Sequence, residues 1–331
     1  MLGGRFFRNF LIALALGVAV YLVLVVVAGF DNLRLALSDF DYALLPLIIG
    51  LVLLSYAGRF TRWLYYLRVL KVRVPLATNA AIFTAGLSMA ISPGKLGEVL
   101  KSVFIKQVTG APIARTAPAV VAERATDGTG MVIWGVIGAL VFGGFGLGIL
   151  VLFVIATVVA IAVLRSKRLS LLAERVLVKL PVVKRLAPHL SEFQSSSNVL
   201  LGTRPLFVGT VISFLSWGLE CTAVYLCSVG IGLDRPFLMV VFIFAVSSLA
   251  GALFFTPGGL GVAEAGLTGG FVSLAEVARG PAVALTFVVR LATLWFAAGI
   301  GIVGLVIVRY IIGEVGEETV RETQDGTDRG L

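Results

Sequence analysis

Histidine and cysteine are nearly missing from this sequence. One histidine, His189, stands in 331 residues, and the two cysteines, Cys221 and Cys227, share a single apolar segment. A histidine-based metal site or triad has no material here, and two thiols inside a greasy run read as small core residues, not as a disulfide framework. No Walker A, GxSxG, HExxH or CxxC pattern occurs, which removes the usual carriers of nucleotide-driven work, serine hydrolysis and zinc chemistry. No cofactor and no metal are expected, and the chain is expected not to be an enzyme. Charge is scarce as well, at 14% of residues against about 25% in soluble domains.

Apolar residues fill the space that charge leaves. They make up 59% of the chain, with a mean hydropathy of +1.03, where soluble domains reach roughly 45–50%. A bilayer core takes about 20 apolar residues per helix, so this length accommodates roughly six to eight spanning or re-entrant elements. The fold class is an all-α polytopic membrane protein. A net charge of +9 then points to cytoplasmic loops and anionic headgroups, and no nucleic-acid partner is expected.

Arg5 and Arg8 precede an apolar run over 10–29, too long for a signal-peptide core and read as an uncleaved signal anchor. A second segment, 42–66, leads into a basic cluster of Arg59, Arg62, Arg68, Lys71 and Arg73; Arg59 and Arg62 are expected as interfacial anchors beside an aromatic belt of Trp63, Tyr65 and Tyr66. Residues 76–92 are short for a span and rich in small side chains, and 95–108 are too polar to face lipid. Segments 116–142 and 147–164 follow. The stretch 165–204 carries eight basic and two acidic residues, with Leu169, Leu172, Val176 and Leu180 at helical spacing, as in a helix lying on the membrane surface. Further apolar runs cover 205–230, 237–255 and 281–308, and the polar tail from Arg309 is expected to be disordered.

Lys and Arg counts in short loops set orientation. The N-terminus, the 59–73 cluster and the linker are basic and expected in the cytoplasm; the loops near 31–41, 143–146 and 231–236 are expected outside. This closes only if 76–108 enters from the cytoplasm and returns there, and 237–278 enters from outside and returns outside. Both then become re-entrant hairpins, with both termini cytoplasmic in a multi-pass cell-membrane protein. The domains are an N-terminal half, 1–164, with a first repeat over about 42–142; a basic linker, 165–204; a C-terminal half, 205–309, with a second repeat; and a tail, 310–331.

The two hairpins share a motif. "SPGKLGEV" at 92–99 matches "TPGGLGVAEA" at 256–265, and Glu98 to Arg124 spans 26 residues, as does Glu264 to Arg290. The predicted architecture is an inverted-topology repeat of helix, re-entrant hairpin and helix, in the manner of transporters whose sites lie near the midplane. Pro93, Gly94 and Gly97, and Pro257, Gly258, Gly259 and Gly261, are the expected hairpin tips: proline withholds an N–H and glycine accepts unusual dihedrals. Helix N-termini there favour anions, phosphate in particular.

Candidate substrate-binding residues follow from charge placed in apolar surroundings. Lys95 adds a cation at a hairpin N-terminus. Glu98 and Glu264 hold matching repeat positions. Arg124 has Asp127 three residues on as a local partner, and Glu123 and Asp127 share a helix face. Arg290 has no acidic neighbour in sequence and calls for Glu264, Glu220 or a ligand phosphate; Glu220 is itself isolated in an apolar run. A mid-bilayer charge costs about 2.5–3.5 kcal/mol on insertion scales, so Glu123, Arg124 and Asp127, three charges in five residues, are expected to face an interior or to lie near the cytoplasmic boundary, the interior being favoured; Lys95 either meets a phosphate or snorkels to water.

Together, "SPGKLGE", "AERATDG" and "TPGGLGVAEAG" resemble the lysylphosphatidylglycerol synthase transmembrane-region family, also called flippase-like or UPF0104 proteins, over about 11–308. The resemblance implies a translocator of amphipathic lipids, either aminoacyl phospholipids or polyprenyl-phosphate sugars, and transfers the family's Pro-Gly, glutamate and arginine positions to Pro93, Gly94, Glu98, Arg124, Pro257, Gly258, Gly259, Glu264 and Arg290. Full synthases add a soluble aminoacyltransferase domain; here the sequence stops about twenty residues past the last apolar run. The expected partners are anionic or polyprenyl-phosphate-linked lipids and a glycosyltransferase or lipid-modifying protein. A membrane-embedded enzyme acting on lipid phosphates, a small-solute or ion transporter, and a scaffold remain as alternatives.

Overall fold

A computed structural model describes residues 37–92, 96–142, 147–166, 190–254 and 256–328, together with the separate positions 22, 26, 30 and 34. The first apolar run, the tip residues Pro93, Gly94 and Lys95, and most of the 165–204 linker therefore lie outside the described residues. Every named element is helical. We number the α-helices α1 (Leu45–Val69), α2 (Leu76–Leu87), α3 (Leu100–Thr109), α4 (Ile113–Phe142), α5 (Leu147–Arg165), α6 (Leu190–Leu200), α7 (Thr203–Gly230), α8 (Phe237–Leu253), α9 (Val262–Ser273), α10 (Arg279–Arg290) and α11 (Phe296–Asp328).

Among the described residues, four helical stretches are long and apolar enough to cross a membrane: Tyr42–Val69, Leu147–Arg165, Thr203–Gly230 and Arg279–Gly313. The chain is a membrane protein with several apolar helices. On α5, Val151, Leu152, Ile155, Val158 and Val159 all face outward, which suits a helix that packs on α4 and α8 along one side and meets hydrocarbon on the other. The opposite case is α8: every residue from Val240 to Ser247 is buried. A helix apolar all round belongs inside protein or lipid, and here protein surrounds it.

The ends of α1 and α7 are built alike. Both close with a residue in the left-handed region, Lys71 at φ +56° and Gly232 at φ +78°. In both, the next amide reaches back to the helix, Val72 to the Leu67 carbonyl and Leu233 to that of Ser228, each at 2.9 Å. Such a closure satisfies carbonyls the helix end would otherwise orphan. Four residues later a proline with near-identical dihedrals, Pro75 (−52°, 140°) and Pro236 (−55°, 134°), caps α2 and α8. Proline fits there because no intrahelical N–H is needed.

The helices that follow are short. At 12 residues, α2 reaches about 18 Å at 1.5 Å per residue, well under the roughly 30 Å of a hydrocarbon core. A 3₁₀ turn, Ser88–Ile91, lengthens it slightly. The second arms are α3, of 10 residues, entered by the 3₁₀ turn Leu96–Val99 that contains Gly97, and α9, of 12 residues. In the described second tip, Gly258, Gly259 and Gly261 all have positive φ, as the sequence predicts for a sharp reversal.

Packing is reciprocal between the halves. The two long helices α1 and α7 lie against each other; α2 packs on α11, and α8 packs on α4. Glycines permit both of the latter contacts. A Cβ at Gly304 would sit 2.5 Å from the Ala85 amide nitrogen, and one at Gly301 would overlap that of Ser88. On α4, a Cβ at Gly138 would sit 2.5 Å from the Phe242 Cβ, and one at Gly135 would press Leu150 and reach Ala245 on α8. Gly135 and Gly138 follow Arg124 by 11 and 14 residues; Gly301 and Gly304 follow Arg290 by the same 11 and 14.

The last helix departs from expectation. It runs on to Asp328, past Arg309, where composition predicts disorder. The glutamates and arginines that lower hydropathy there are good helix formers, so loss of apolar character does not end the helix.

Candidate functional site: buried charge beside two broken helices

Polar residues on α1 recur at Ser55, Arg59, Arg62 and Tyr66, a spacing of four, three and four that lines one face of a helix. This face meets α4 and α7. Arg62 is 1% exposed. Its Nη1 donates to Asp127 Oδ1 at 2.6 Å, to Thr126 Oγ1 at 3.2 Å and to Ser213 Oγ, and its Nη2 lies 3.9 Å from Glu123. Ser213 and the Trp217 indole N–H also donate to Asp127, at 3.1 and 3.3 Å.

Helix α3 brings the next member. Lys101, 2% exposed, donates to Glu123 and lies 3.5 Å from Glu98. Its ammonium stands 4.3 Å from the Trp63 ring centre, a desolvated cation–π contact. Arg124 closes the group, at 3.1 Å from Glu98 and 2.9 Å from Asp127. Three cations, Arg62, Lys101 and Arg124, thus face three carboxylates, Glu98, Glu123 and Asp127. Charge balance permits the burial: one uncompensated ion would carry several kcal/mol of desolvation. Arg124 is the accessible member, with 29% of its side chain exposed.

A second pair adjoins this group through Trp217. Arg59 is ion-paired with Glu220, and its guanidinium stacks 4.2 Å from the Trp217 ring centre; Ser55 lies 3.4 Å from the same carboxylate.

The other hairpin carries a smaller version. Arg290 Nε donates to Glu264 Oε1 at 2.7 Å, and its Nη2 donates to the Gly258 carbonyl at 2.7 Å. The second oxygen of Glu264 accepts from the Gly261 amide at 2.7 Å, so this carboxylate caps α9 and holds the arginine at once. Immediately after Arg290 the backbone widens into a π-helical turn, Leu291–Trp295, a feature often found at functional positions. The Tyr56 hydroxyl from α1 donates to the Thr293 carbonyl within that turn, at 3.0 Å. Near the tips, Ala90 of the first hairpin and Leu260 of the second belong to one small buried cluster with Leu294 and Ala298.

Of the residues singled out in the sequence, Glu98, Arg124 and Asp127 come together, Glu264 and Arg290 form a second centre, and Glu220 joins the first through Arg59 and Trp217. The spacing of 26 makes a contact in both halves. Glu264, not Glu220, is the carboxylate that Arg290 bonds. Lys95 lies outside the described residues. Sequence reasoning missed Lys101 and placed Arg59 and Arg62 at the interface. The signal that marks both arginines as interior is the Ser55, Arg59, Arg62, Tyr66 stripe; nothing comparable marks Lys101, whose partners stand 22 residues away and three residues back. Among the described residues no group of His, Cys, Asp and Glu is placed to hold a metal ion.

The sequence matches the family model described as the lysylphosphatidylglycerol synthase TM region over residues 12–301. Three alignments connect it to proteins described as UPF0104 membrane proteins of Methanothermobacter thermautotrophicus. One is 34% identical over 123 residues, covering 37% of this chain and only 36% of the relative. The others are 26% identical over 87% of this chain and 90% of the relative, and 22% identical over 90% and 93%. With a family match that spans most of its length and helices that carry charge in its interior, the chain belongs to the lysylphosphatidylglycerol synthase transmembrane-region family.

Proposed function

We propose that this protein moves a phosphate-bearing lipid, a polyprenyl-phosphate sugar or an aminoacyl phospholipid, across the cell membrane. The reading rests on two copies of a helix–hairpin–helix unit inserted with opposite topology. The observation that carries it is the Glu–Arg contact repeated at 26 residues in both halves, at 3.1 and 2.7 Å, each beside helices too short to span. The matching helix closures at Lys71 and Gly232 and the exchanged packing of α2 on α11 and α8 on α4 support the same two-fold design. Irregular backbone at membrane depth is tolerated where protein or a wet cavity covers it.

In this state every described cation of the site already has a carboxylate. A lipid phosphate therefore enters by exchange: it takes the guanidinium of Arg124 or Arg290 while Glu98 or Glu264 turns to its other donors, Lys101 or the Gly261 amide. Arg124 retains an Nε–H with no acceptor among the described residues, a donor a phosphate oxygen fits. Acyl or prenyl chains stay in the bilayer, and rocking of one unit against the other exposes the headgroup to each side in turn. Both termini lie in the cytoplasm on this reading.

The test is headgroup translocation in proteoliposomes, with labelled polyprenyl-phosphate sugars and labelled aminoacyl phospholipids, for the wild type and Arg290→Ala. One lipid class should cross faster than in protein-free vesicles, and the variant should lose most of that excess. If neither class moves faster than in empty vesicles, the proposal fails; release of a chemically altered headgroup would favour an enzyme instead.

A further inference from the structure

At the far end of α1 from Asp41, three cations converge on a surface depression of about 340 Å³, lined by Lys71, Arg73, Thr109, Gly110 and Arg115. Among the described residues no acidic side chain lines it, and the sequence from 59 to 97 contains no Asp or Glu at all. Two helices end here, α1 and α3, and helix C-termini carry partial negative charge. Arg115 serves the first of them: its Nε and Nη2 donate to the Leu70 carbonyl at 3.2 and 2.8 Å. Lys106 stands in the last turn of α3. The ammonium of Lys71 and the guanidinium of Arg73, both exposed, have no acceptor among the described residues.

Lys71 holds an unfavourable position to be there. At φ +56° it sits where a Cβ crowds the backbone and glycine is the ordinary choice. The corresponding turn after α7 uses Gly232. Backbone geometry alone would favour glycine at 71; what lysine adds is a positive charge on the lining of the depression.

We infer that the Lys71–Arg73–Arg115 depression binds the phosphate of an anionic phospholipid headgroup at the membrane surface, apart from the buried Glu–Arg centres. The location selects a lipid over a free ion. The depression lies at the end of an apolar helix long enough to span, with Tyr65 and Trp63 within the two preceding turns, where a headgroup phosphate is held at high local concentration. Basic pockets between membrane helices at this level suit phospholipid headgroups.

The experiment uses the full chain purified in a neutral detergent. Its thermal midpoint is followed as phosphatidylglycerol, phosphatidylcholine of the same acyl chains, or inorganic phosphate is added to the wild type, Arg73→Gln, Lys71→Gly and the Lys71→Gly/Arg73→Gln double variant. Phosphatidylglycerol should raise the wild-type midpoint by several degrees, with phosphatidylcholine and phosphate giving less than half of that. The double variant should lose at least half of the lipid-dependent rise, while Lys71→Gly alone keeps or raises the midpoint without lipid, because glycine fits the left-handed turn. If the glycine variants do not fold, Arg73→Gln carries the comparison and should lose a measurable part of the rise. Equal rises with both lipids, an equal rise with inorganic phosphate, or an undiminished rise in the variants that fold would overturn the assignment. None of those results bears on translocation, which is read separately.

Discussion

Glu264 holds Arg290 through one carboxylate oxygen, at 2.7 Å, and caps the start of α9 through the other, also at 2.7 Å. The side chain that turns the hairpin and the side chain that neutralises the arginine are the same, so the fold of the second tip and the electrostatics of α10 stand or fall together.

Removing one partner of that pair leaves a buried charge, which costs about 3–5 kcal/mol, whereas removing both is milder. Glu264→Ala should therefore lower the thermal midpoint strongly, and Glu264→Gln/Arg290→Gln should lose less than the sum of the single variants. Differential scanning fluorimetry of the purified variants checks this. Additive losses would mean the two side chains act independently.

Lys101 is the cation that Glu123 and Glu98 share inside the first hairpin. Lys101→Met keeps most of the volume beside Trp63 and Gly86 but strands Glu123, whose other cation, Arg62, is 3.9 Å away. The expected loss is about 3 kcal/mol or more, partly restored by adding Glu123→Gln. Chemical denaturation in mixed micelles reads both; no recovery in the double variant would argue against a direct ion pair.

Close backbone approach makes Gly301 and Gly304 sensitive. Either alanine would drive a methyl into the Ser88 or Ala85 backbone, and overpacking of this kind costs roughly 1–3 kcal/mol. Gly299, with open space around its Cβ position, should accept alanine and gain about 0.5–1 kcal/mol from helix propensity. If all three alanines behave alike in a melting experiment, the packing of α11 on α2 is not as close as it stands here.

The proposed opposite topology of the two halves makes a sidedness prediction. Both native cysteines are buried, so a single exposed cysteine can be read above them. Arg73→Cys and Asp234→Cys replace exposed residues that follow the matching closures of α1 and α7. In inside-out and right-side-out vesicles, a membrane-impermeant maleimide should reach the first only from the cytoplasmic side and the second only from the other. Labelling of both from one side would contradict the inverted repeat.

Several features of this molecule were legible before any coordinates. Low charge and long apolar runs mark a membrane protein because hydrocarbon tolerates little else. The recurrence of Pro-Gly-x-Leu-Gly with a glutamate and an arginine 26 residues later marked matching positions in the two halves; that each glutamate bonds its own arginine is seen only in the fold, since the sequence offered Asp127 as the partner of Arg124 and left Arg290 open between Glu264, Glu220 and a ligand phosphate. The burial of Cys221 and Cys227 followed from the greasiness of their segment. Arg59 and Arg62 misled, since arginine near a cluster of Trp and Tyr is the ordinary mark of an interface; their carboxylates come from α4 and α7, as many as 161 residues away, beyond any local pattern.

Sequence by itself determined the class of solvent, the breaks in the helices and the matching positions at which glutamate and arginine recur, because these depend on composition and on spacing along one chain. Which cation meets which carboxylate was decided only by tertiary structure. Lys101 has Glu98 three residues away, but it reaches Glu123 as well because α3 folds back against α4. Arg62 escapes the interface because α1 lies between α4 and α7, where Asp127, Glu123 and Ser213 replace the water it gives up.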